Sequence, residues 1–448
     1  MIERFLLVRP YYGINVHTDA QGEYGTVLGS NDVFPDLPLI TAATILNESD
    51  SHEVKVIDAV TEDRMLPDEL LRKIALLEYD KVLVKSTAPT FKADLELCRQ
   101  IKAGNPSAYV MIAGQAVRHL KDWIYANTDI DLAIEEPVDM YIYRYVHGAA
   151  ATVSDMPTPD YTLVNYRKYT DDYNNIRLTI QASRGCPMSC AYCPYIKYYG
   201  KYESRDADKV IGDLKAVTSL GADLIQFRDQ FFTCDSKRIR ELCRRIIDEG
   251  INVRWICETR LDSLTPDLID LMKEAGLFLI CFGVESGDQN ILTEYNSNKG
   301  NIDYQRSTVE YIKNAGILTM AFYITGFPED TWETLHATYR YADTVNSDIA
   351  AFNEYTEFNL SSESDISPDI FCSFENATAA KGLSSLSKEE IRYAVELFST
   401  MYTLKHDTLE KAYNYNHKQL CDSRRLASKL KGHENDLDEL SRIIRESS

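Results

Sequence analysis

The sequence predicts an α/β protein: an N-terminal doubly wound domain of Rossmann or flavodoxin type, a partial (βα)6 barrel, and a helical C-terminal region. Three observations carry this. Apolar, β-type runs alternate with helical patterns from residue 4 to residue 134, as in a parallel sheet covered on both faces. The alternation stops over residues 148–175, "GAAATVSDMPTPDYTLVNYRKYTDDYNN", which is rich in Pro, Asp, Asn and Tyr. It resumes at residue 176 for six more strand candidates, two units short of a full eight-unit barrel.

The strands of the first half are "RFLLVRP", "EVKVID", "DKVLVK", "AYVMIAG" and "DLAI". The helices between them are "LPLITAATILNES", "LPDELLRKIALLE", "FKADLELCRQIKA" and "VRHLKDWIYAN". Ligands of such sheets bind beyond the carboxyl ends of the strands. The break at 148–175 reads as a linker packed on the surface by its tyrosines. The later strands are "IRLTIQAS", "DLIQFRD", "VRWICETR", "LFLICFGVES", "LTMAFYITG" and "DIAAFNEY". In "DSKRIRELCRRIIDEG", Ile239, Leu242, Cys243, Ile246 and Ile247 share one face, and Gly250 supplies the stop. After residue 355 the pattern weakens: "NLSSESDISPD" reads as loop. A helix then opens on a capping box at Ser387 with Glu389 and Glu390 in its first turn. The tail beyond Cys421 is charged and is expected to fray. This gives 1–147 as the doubly wound domain, 148–175 as linker, 176–355 as barrel and 356–448 as the helical region.

Apolar residues make up 44% and charged residues 26% of the 448, the balance of a globular protein. A net charge of −21 makes nucleic acid an unlikely partner, because phosphate binding needs a basic face. No apolar run is long enough to span a bilayer. The start, "MIERFLLVRPYYG", lacks a small-residue cleavage site and reads as a strand. The expected location is cytoplasmic. There the ten cysteines stay reduced and serve metal binding or packing.

Three of them stand together in "QASRGCPMSCAYCPYIKYYGKY": Cys186, Cys190 and Cys193. They follow the first strand of the second half, at the end where barrels carry their chemistry. Structural zinc wants four closed ligands, often as two C-x2-C pairs, and only one such pair is present. Three thiolates can instead hold three irons of a [4Fe–4S] cluster, which ordinarily takes four cysteines. One iron is then left open.

"CPMSCAYC", with Tyr192 before its last cysteine, resembles the motif of the radical S-adenosylmethionine (SAM) superfamily. The resemblance implies SAM chelating the open iron, and reductive cleavage to a 5′-deoxyadenosyl radical that abstracts hydrogen from substrate. It also implies an external electron donor such as flavodoxin or ferredoxin. In "FRDQ", Asp229 is the candidate near the SAM amino group. In "CETR", Glu258 and Arg260 face a polar ligand, with Arg260 holding the SAM carboxylate through two hydrogen bonds. "FGVESG" resembles the ribose-contacting region, with Glu285 and Ser286. "YITGFPED" resembles the segment that packs on adenine, with Ile324 and Gly326. The plain alternative for each acidic residue is a helix cap or a surface ion pair. For the cysteines it is burial or zinc.

A doubly wound domain before such a barrel resembles the cobalamin-binding subgroup, the class B-type methylases. "LLVRPYYG", "HEVKVIDA", "STAPTFKADLELCRQIK" and "IAGQA" resemble that domain's strand ends and loops. Ser86, Thr87, Gly114 and Gln115 would let a corrin approach the backbone closely. The D-x-H-x-x-G histidine of other cobalamin domains is absent. His17, His52 and His119 lack the required neighbours, so no histidine from that motif is expected on cobalt. "IEEPVDM" and "AGQA", with Gly114 alone, depart from the glycine-rich loops of relatives. The loop from Pro10 to Pro38 is long and polar and could close over a cofactor or a substrate. The resemblance implies a cobalamin-dependent C-methyltransferase acting on a small molecule or peptide. Cyclisation, rearrangement, C–S or C–P bond formation or another SAM-group transfer, with a scaffolding first domain, stays open. So does a non-catalytic Fe–S or cobalamin-binding regulator.

Overall fold

The structure is a computed structural model of the full chain. It describes residues 2–28, 31–171, 174–295, 297, 302–356 and 384–405. These form two compact units. One takes residues up to Pro187 together with Pro194–Asp229; the other takes Met188–Cys193 and the later described residues. The expected loop "NLSSESDISPD", the helical pattern beyond Lys405 and the charged tail beyond Cys421 lie outside the described residues.

The first sheet contains β1 (Glu3–Arg9), β2 (His52–Asp58), β3 (Lys81–Lys85), β4 (Tyr109–Ala113) and β5 (Leu132–Ile134), all parallel, in the order β2-β1-β3-β4-β5. This is the flavodoxin-type order, whose switch point lies between β1 and β3. Each strand is within a residue of an apolar run expected from sequence. Five helices accompany them: α1 (Leu37–Asn47), α2 (Pro67–Ile74), α3 (Phe91–Gly104), α4 (Gln115–Asn127) and α5 (Val138–His147). Asp36 caps α1 by accepting from the Leu39 amide at 3.0 Å. Ten of the eleven α1 residues are buried, which suits a helix wedged between the sheet and α5. On α3 only one stripe is buried: Phe91, Asp94, Leu97, Cys98 and Ile101. The aspartate in that stripe is the one residue that breaks its apolar logic.

The stretch 148–175 carries three short 3-10 turns and is held by two tyrosines. Tyr161 donates to the Thr179 carbonyl at 2.6 Å and Tyr169 to the Asp58 carboxylate at 2.7 Å. Both rings are fully buried.

The second sheet contains β6 (Arg177–Ile180), β7 (Leu224–Phe227), β8 (Arg254–Thr259), β9 (Leu277–Glu285), β10 (Leu318–Thr325) and β11 (Ile349–Glu354), in sequential order. The pairs β6–β7, β8–β9, β9–β10 and β10–β11 are all parallel. Sequential parallel strands with helical crossovers are the arrangement of a barrel wall. The helices are α6 (Tyr195–Tyr199), α7 (Ala207–Ser219), α8 (Ser236–Asp248), α9 (Pro266–Glu274), α10 (Gln289–Glu294), α11 (Ile302–Asn314), α12 (Trp332–Val345) and α13 (Lys388–Lys405). On α8, Ile239, Leu242, Cys243 and Ile246 are buried, while Ile247 is half-buried. Gly250 adopts the left-handed φ of +64° that the stop requires. Ser387 and Glu390 form the capping box of α13 in both directions, at 3.2 and 2.9 Å. Among the described residues no helix is long and apolar enough to cross a membrane.

Candidate functional site

The cysteine loop leaves β6 through a short antiparallel pairing of Ser183–Arg184 with Glu203–Ser204. Gly185 is obligatory here. Its φ is +78°, and a Cβ would lie 2.3 Å from the Lys201 carbonyl oxygen. The Cys186 amide donates to the Gly200 carbonyl at 3.4 Å, and the Cys193 amide to that of Cys190 at 3.1 Å. None of the three is in a disulfide; Cys190 is 9% exposed, and Cys186 and Cys193 are half-buried. Among the described residues no three His, Cys, Asp or Glu side chains close on one point, as a single metal ion would need. A cubane makes a different demand, because it spreads its thiolates over separate irons. Three thiols from one loop are the donor set it takes.

Four of the residues expected from sequence gather around Cys190. The Tyr192 hydroxyl donates to Glu285 Oε1 at 2.9 Å and accepts from the Ser297 hydroxyl at 3.1 Å. Burial, and then the Glu285 carboxylate, push the Tyr192 phenol well above its ordinary value. Glu285 ends β9 at a register irregularity that follows Gly283, with a left-handed φ of +73°. A non-glycine residue pays roughly 1–2 kcal/mol for that conformation, and here it aims the carboxylate at Tyr192. Ile324 packs with Tyr192 on Ile291, Tyr295, Phe327 and Tyr355. Arg260, just past β8, donates twice to Asp262, at 2.9 and 2.6 Å. Burial lowers the proton affinity of this guanidinium, but Asp262, followed by Cys190 and Tyr192, raises it further, so the net shift is upward. Arg260 therefore lies within electrostatic reach of the loop, already oriented by a carboxylate. Glu258 is half-buried, and its carbonyl accepts from the Phe232 amide at 3.0 Å.

Three other expected residues are engaged by the fold. Asp229 accepts from the Ala182 amide at 2.8 Å and the Ser183 hydroxyl at 2.5 Å, bracing the strand that leads into the cysteine loop. Ser286 is buried against Thr338 of α12, at 3.3 Å, and accepts from the Asp288 amide. At Gly326, φ +89°, a Cβ would meet Ile391 Cδ1 of α13 at 2.7 Å. The nearest demand on this glycine is thus close packing by a helix. Asp330 fixes the same turn, accepting from the Gly326 and Phe327 amides at 2.9 Å each. Sequence reasoning missed Ser297, Tyr295, Asp262 and Asp330. Only Asp262, two residues after Arg260, carried a local signal.

The crevice at the carboxyl edge of the first sheet is covered by the chain itself. Ser86, Thr87 and Gln115 are at most 2% exposed. A Cβ on Gly114 would lie 2.2 Å from the Ser86 carbonyl oxygen, so this glycine lets two loops of the sheet touch. The cover is a short hairpin pairing Val16 with Val27 and His17 with Thr26. Arg9, buried at the end of β1, staples its approach by donating to the Val16 and Phe34 carbonyls at 2.9 and 2.7 Å. Lys85, at the end of β3, forms a fully buried ion pair with Glu23. Burial works against its ammonium charge, but Asp36 and Glu23 keep it protonated. The cavity left among residues such as Arg9, Tyr12, Val16, Thr18, Lys85 and Thr87 is about 10 Å³. That is room for about one water molecule, and a corrin is far larger. With the hairpin in place, the four residues expected to meet cobalamin do not fit it.

Residues 180–342 match the Radical SAM superfamily. An uncharacterized methyltransferase of Pyrococcus horikoshii is 26% identical over 357 residues, covering 72% of this chain and 76% of its own length. An anaerobic magnesium-protoporphyrin IX monomethyl ester cyclase of Rubrivivax gelatinosus is 27% identical over 348 residues, 69% of this chain. The match spans 62% of that cyclase's length. Among solved structures, the cobalamin-dependent S-adenosylmethionine radical enzyme OxsB, with aqua-cobalamin and S-adenosylmethionine bound, superposes with a TM-score of 0.63 at 14% identity. The match covers 87% of this chain and 56% of that one. The fold and the loop define an iron–sulfur enzyme that uses SAM. It is residues 180–342 that carry the match to the radical SAM superfamily, and that match implies a [4Fe–4S] cluster and SAM as cofactors.

Proposed function

We propose that the protein is a cobalamin-dependent radical SAM C-methyltransferase acting on a small-molecule or peptide intermediate. The observation that carries this reading is the order of the two sheets. A switch-point sheet of order 2-1-3-4-5 precedes a sequential sheet whose first strand feeds a C-x3-C-x2-C loop. Similarity to a methyltransferase over most of both chains supports it. We propose the same functional division: 1–147, 148–175, 176–355 and 356–448.

When bound, the cluster with SAM supplies a 5′-deoxyadenosyl radical, and cobalamin a transferable methyl group. The chain's own residues bind and orient. Cys186, Cys190 and Cys193 hold three irons. Arg260, steadied by Asp262, presents parallel donors to the SAM carboxylate. Tyr192, Glu285 and Ile324 offer polar and apolar contacts to the nucleoside beside the loop, and Glu258 a further polar one. Asp229 braces β6 from behind, a positioning role.

The reading is tested on the anaerobically reconstituted, reduced protein by measuring 5′-deoxyadenosine formed from SAM. Hydroxocobalamin retention is measured separately by equilibrium dialysis. Absence of 5′-deoxyadenosine would remove the radical reading. Formation of it with no cobalamin retained at micromolar concentration would remove methyl transfer. A second reading, radical cyclisation with a scaffolding first domain, is favoured by one observation: the covered crevice over Ser86, Thr87 and Gln115.

A further inference from the structure

We infer that Arg118, Lys197 and Lys201 form the docking face for an acidic protein that carries one electron on a low-potential iron–sulfur centre and delivers it to the cysteine loop. The inference rests on the iron–sulfur reading of that loop and is independent of cobalamin.

The need comes from the chemistry. Each reductive cleavage of SAM consumes one electron. Cys186, Cys190 and Cys193 stand together, and the other seven cysteines stand singly along the sequence, with no second loop of this kind. The electron is therefore delivered by another molecule, at a surface beside the loop.

The structure offers one. The helix α6 opens two residues after Cys193. Lys197 lies in its last turn and Lys201 just past its end, and both are exposed. The Cys186 amide donates to the Gly200 carbonyl, next to Lys201, at 3.4 Å. Arg118 of α4, also exposed, donates to the Lys197 carbonyl at 2.6 Å and brings a third cation to the same turn. Cys186 and all three cations belong to one compact unit. Cys186 is half-buried and Pro187 exposed, so the loop reaches the surface here. Burial, followed by Arg118 and Lys197, lowers the His119 imidazole to about 4. The fields of two of the cations thus overlap on one neutral ring.

Charge balance sets this face apart. Acidic residues outnumber basic ones by 69 to 48, and exposed cations of neighbouring segments are paired. Lys121 of α4 meets Glu135 at 2.5 Å, and Arg144 of α5 meets Glu136. Among the described residues, Arg118, Lys197 and Lys201 close on no carboxylate, although Asp122 lies one turn further along α4. The helix α8 is richer in arginine, but its Arg240 and Arg245 are paired, with Asp267 at 2.7 Å and Glu249 at 3.0 Å. The dipole of α6 accounts at most for Lys197. A chain of net charge −21 repels an acidic partner over most of its surface, so an uncompensated basic patch fixes where the partner lands. Electron-transfer encounters bury less than about 1,200 Å², and a few charges steer them. In the encounter the carrier is oxidised by one electron and the cluster reduced by one; no bond forms and no proton moves.

The test is anaerobic stopped-flow reduction of the reconstituted whole chain, followed as bleaching of the cluster's visible absorption. The probes are an acidic plant-type ferredoxin, reduced and in excess, and reduced methyl viologen, which is small and cationic and needs no basic face. The double variant Lys197→Glu/Lys201→Glu should slow reduction by ferredoxin about tenfold or more, with the viologen rate no slower. Lys197→Arg/Lys201→Arg should keep both rates. Equal ferredoxin rates for wild type and the Glu variant would overturn the docking face. Parallel slowing with both reductants would overturn it too, because the loop itself would then be disturbed. If neither reductant bleaches wild type, the iron–sulfur reading falls as well. A second measurement needs no variant. Carbodiimide joins carboxylates directly to the lysines they touch, so ferredoxin cross-linked to wild type should map to Lys197 or Lys201 by peptide mass spectrometry. Cross-links confined to other lysines would overturn the face even if the Glu variant holds no cluster.

Discussion

The bond between Tyr192 and Glu285 is expected to be the strongest polar tie of the site. Glu285 is 6% exposed, and its Oε1 accepts from the Tyr192 hydroxyl at 2.9 Å. A hydrogen bond to a charged group contributes about 1.5–3 kcal/mol. The backbone of Glu285 stores a further 1–2 kcal/mol, roughly, in its left-handed conformation. Removing the hydroxyl leaves a buried carboxylate with less support and lets the end of β9 relax. Tyr192→Phe should therefore lose about 2–3 kcal/mol of stability, and Glu285→Leu, which removes the acceptor, a similar amount. In the double variant most of the second loss should vanish, giving a coupling energy of about 1.5 kcal/mol or more. The measurement is anaerobic urea unfolding of the four proteins of this cycle, with iron content as a control, because neither change touches a cysteine. A coupling energy near zero would refute the reasoning. It would mean that Tyr192 and Glu285 are held separately by the aromatic cluster and the strand.

Other outcomes follow from the same geometry. Cys190→Ala should abolish cluster reconstitution, measured as bound iron and sulfide, while Cys243→Ala, Cys257→Ala and Cys281→Ala should keep it, since these three are at most 1% exposed and pack as small hydrophobes. Arg260→Ala should weaken SAM binding by roughly 2–5 kcal/mol with circular dichroism unchanged, and unchanged affinity would take Arg260 off the site. Asp94 is buried on the apolar stripe of α3, accepting from Tyr12, Ser86 and Thr90 at 2.7 Å each; burial pushes its carboxyl up to about 7 in spite of those bonds. The folded state then binds its proton more tightly than the unfolded chain, so this contribution is whole below about pH 4, fades as pH rises to about 7 and is gone above, a span of about 4 kcal/mol. Asp94→Asn should remove that slope, and parallel urea midpoints for the two proteins between pH 5 and pH 8 would contradict it.

The architecture was legible because burial on both faces of a parallel sheet writes itself as short, continuous Val, Ile and Leu runs. "FLLV" and "VLV" could hardly be anything but central strands, and they are β1 and β3. Gly250 and Ser387 were legible for a similar reason: helix ends are local problems with local solutions. The cysteine loop was legible because its spacing is itself the chemistry. What stayed hidden was every partnership between residues distant in sequence. Lys85 reads as the polar end of a strand, and nothing near it announces that Glu23, 62 positions away, will neutralise it in the dark. Ser297 meets Tyr192 across 105 positions. Gly326 was expected at adenine because "YITGFPED" resembles an adenine-packing segment. Ile391 of α13 fills the space, and no local pattern could give that contact. Arg9 likewise gave no local sign of its burial, since a charged residue closing an apolar strand ordinarily faces water.

Backbone strain marks both sites. Among the described residues, seven non-glycine residues have a positive φ. Asn346 is the left-handed cap of α12, a place where asparagine is at ease. Three others, Gln21, Glu23 and Glu285, fall in the regions assigned here to ligands. Glu285 and Glu23 use the strained backbone alike, to turn a carboxylate inward onto a buried donor, Tyr192 in one case and Lys85 in the other. Tyr192 is tied twice, to Glu285 and Ser297, and packs on an aromatic cluster. Near Glu23 the Thr18 hydroxyl and the Gln115 side-chain oxygen are buried without a partner among the described residues, and so is the hydroxyl of Tyr323, which pairs in register with Glu285. Backbone strain persists only where the surroundings over-determine it, and at Glu285 what it delivers is a carboxylate on the tyrosine beside Cys190.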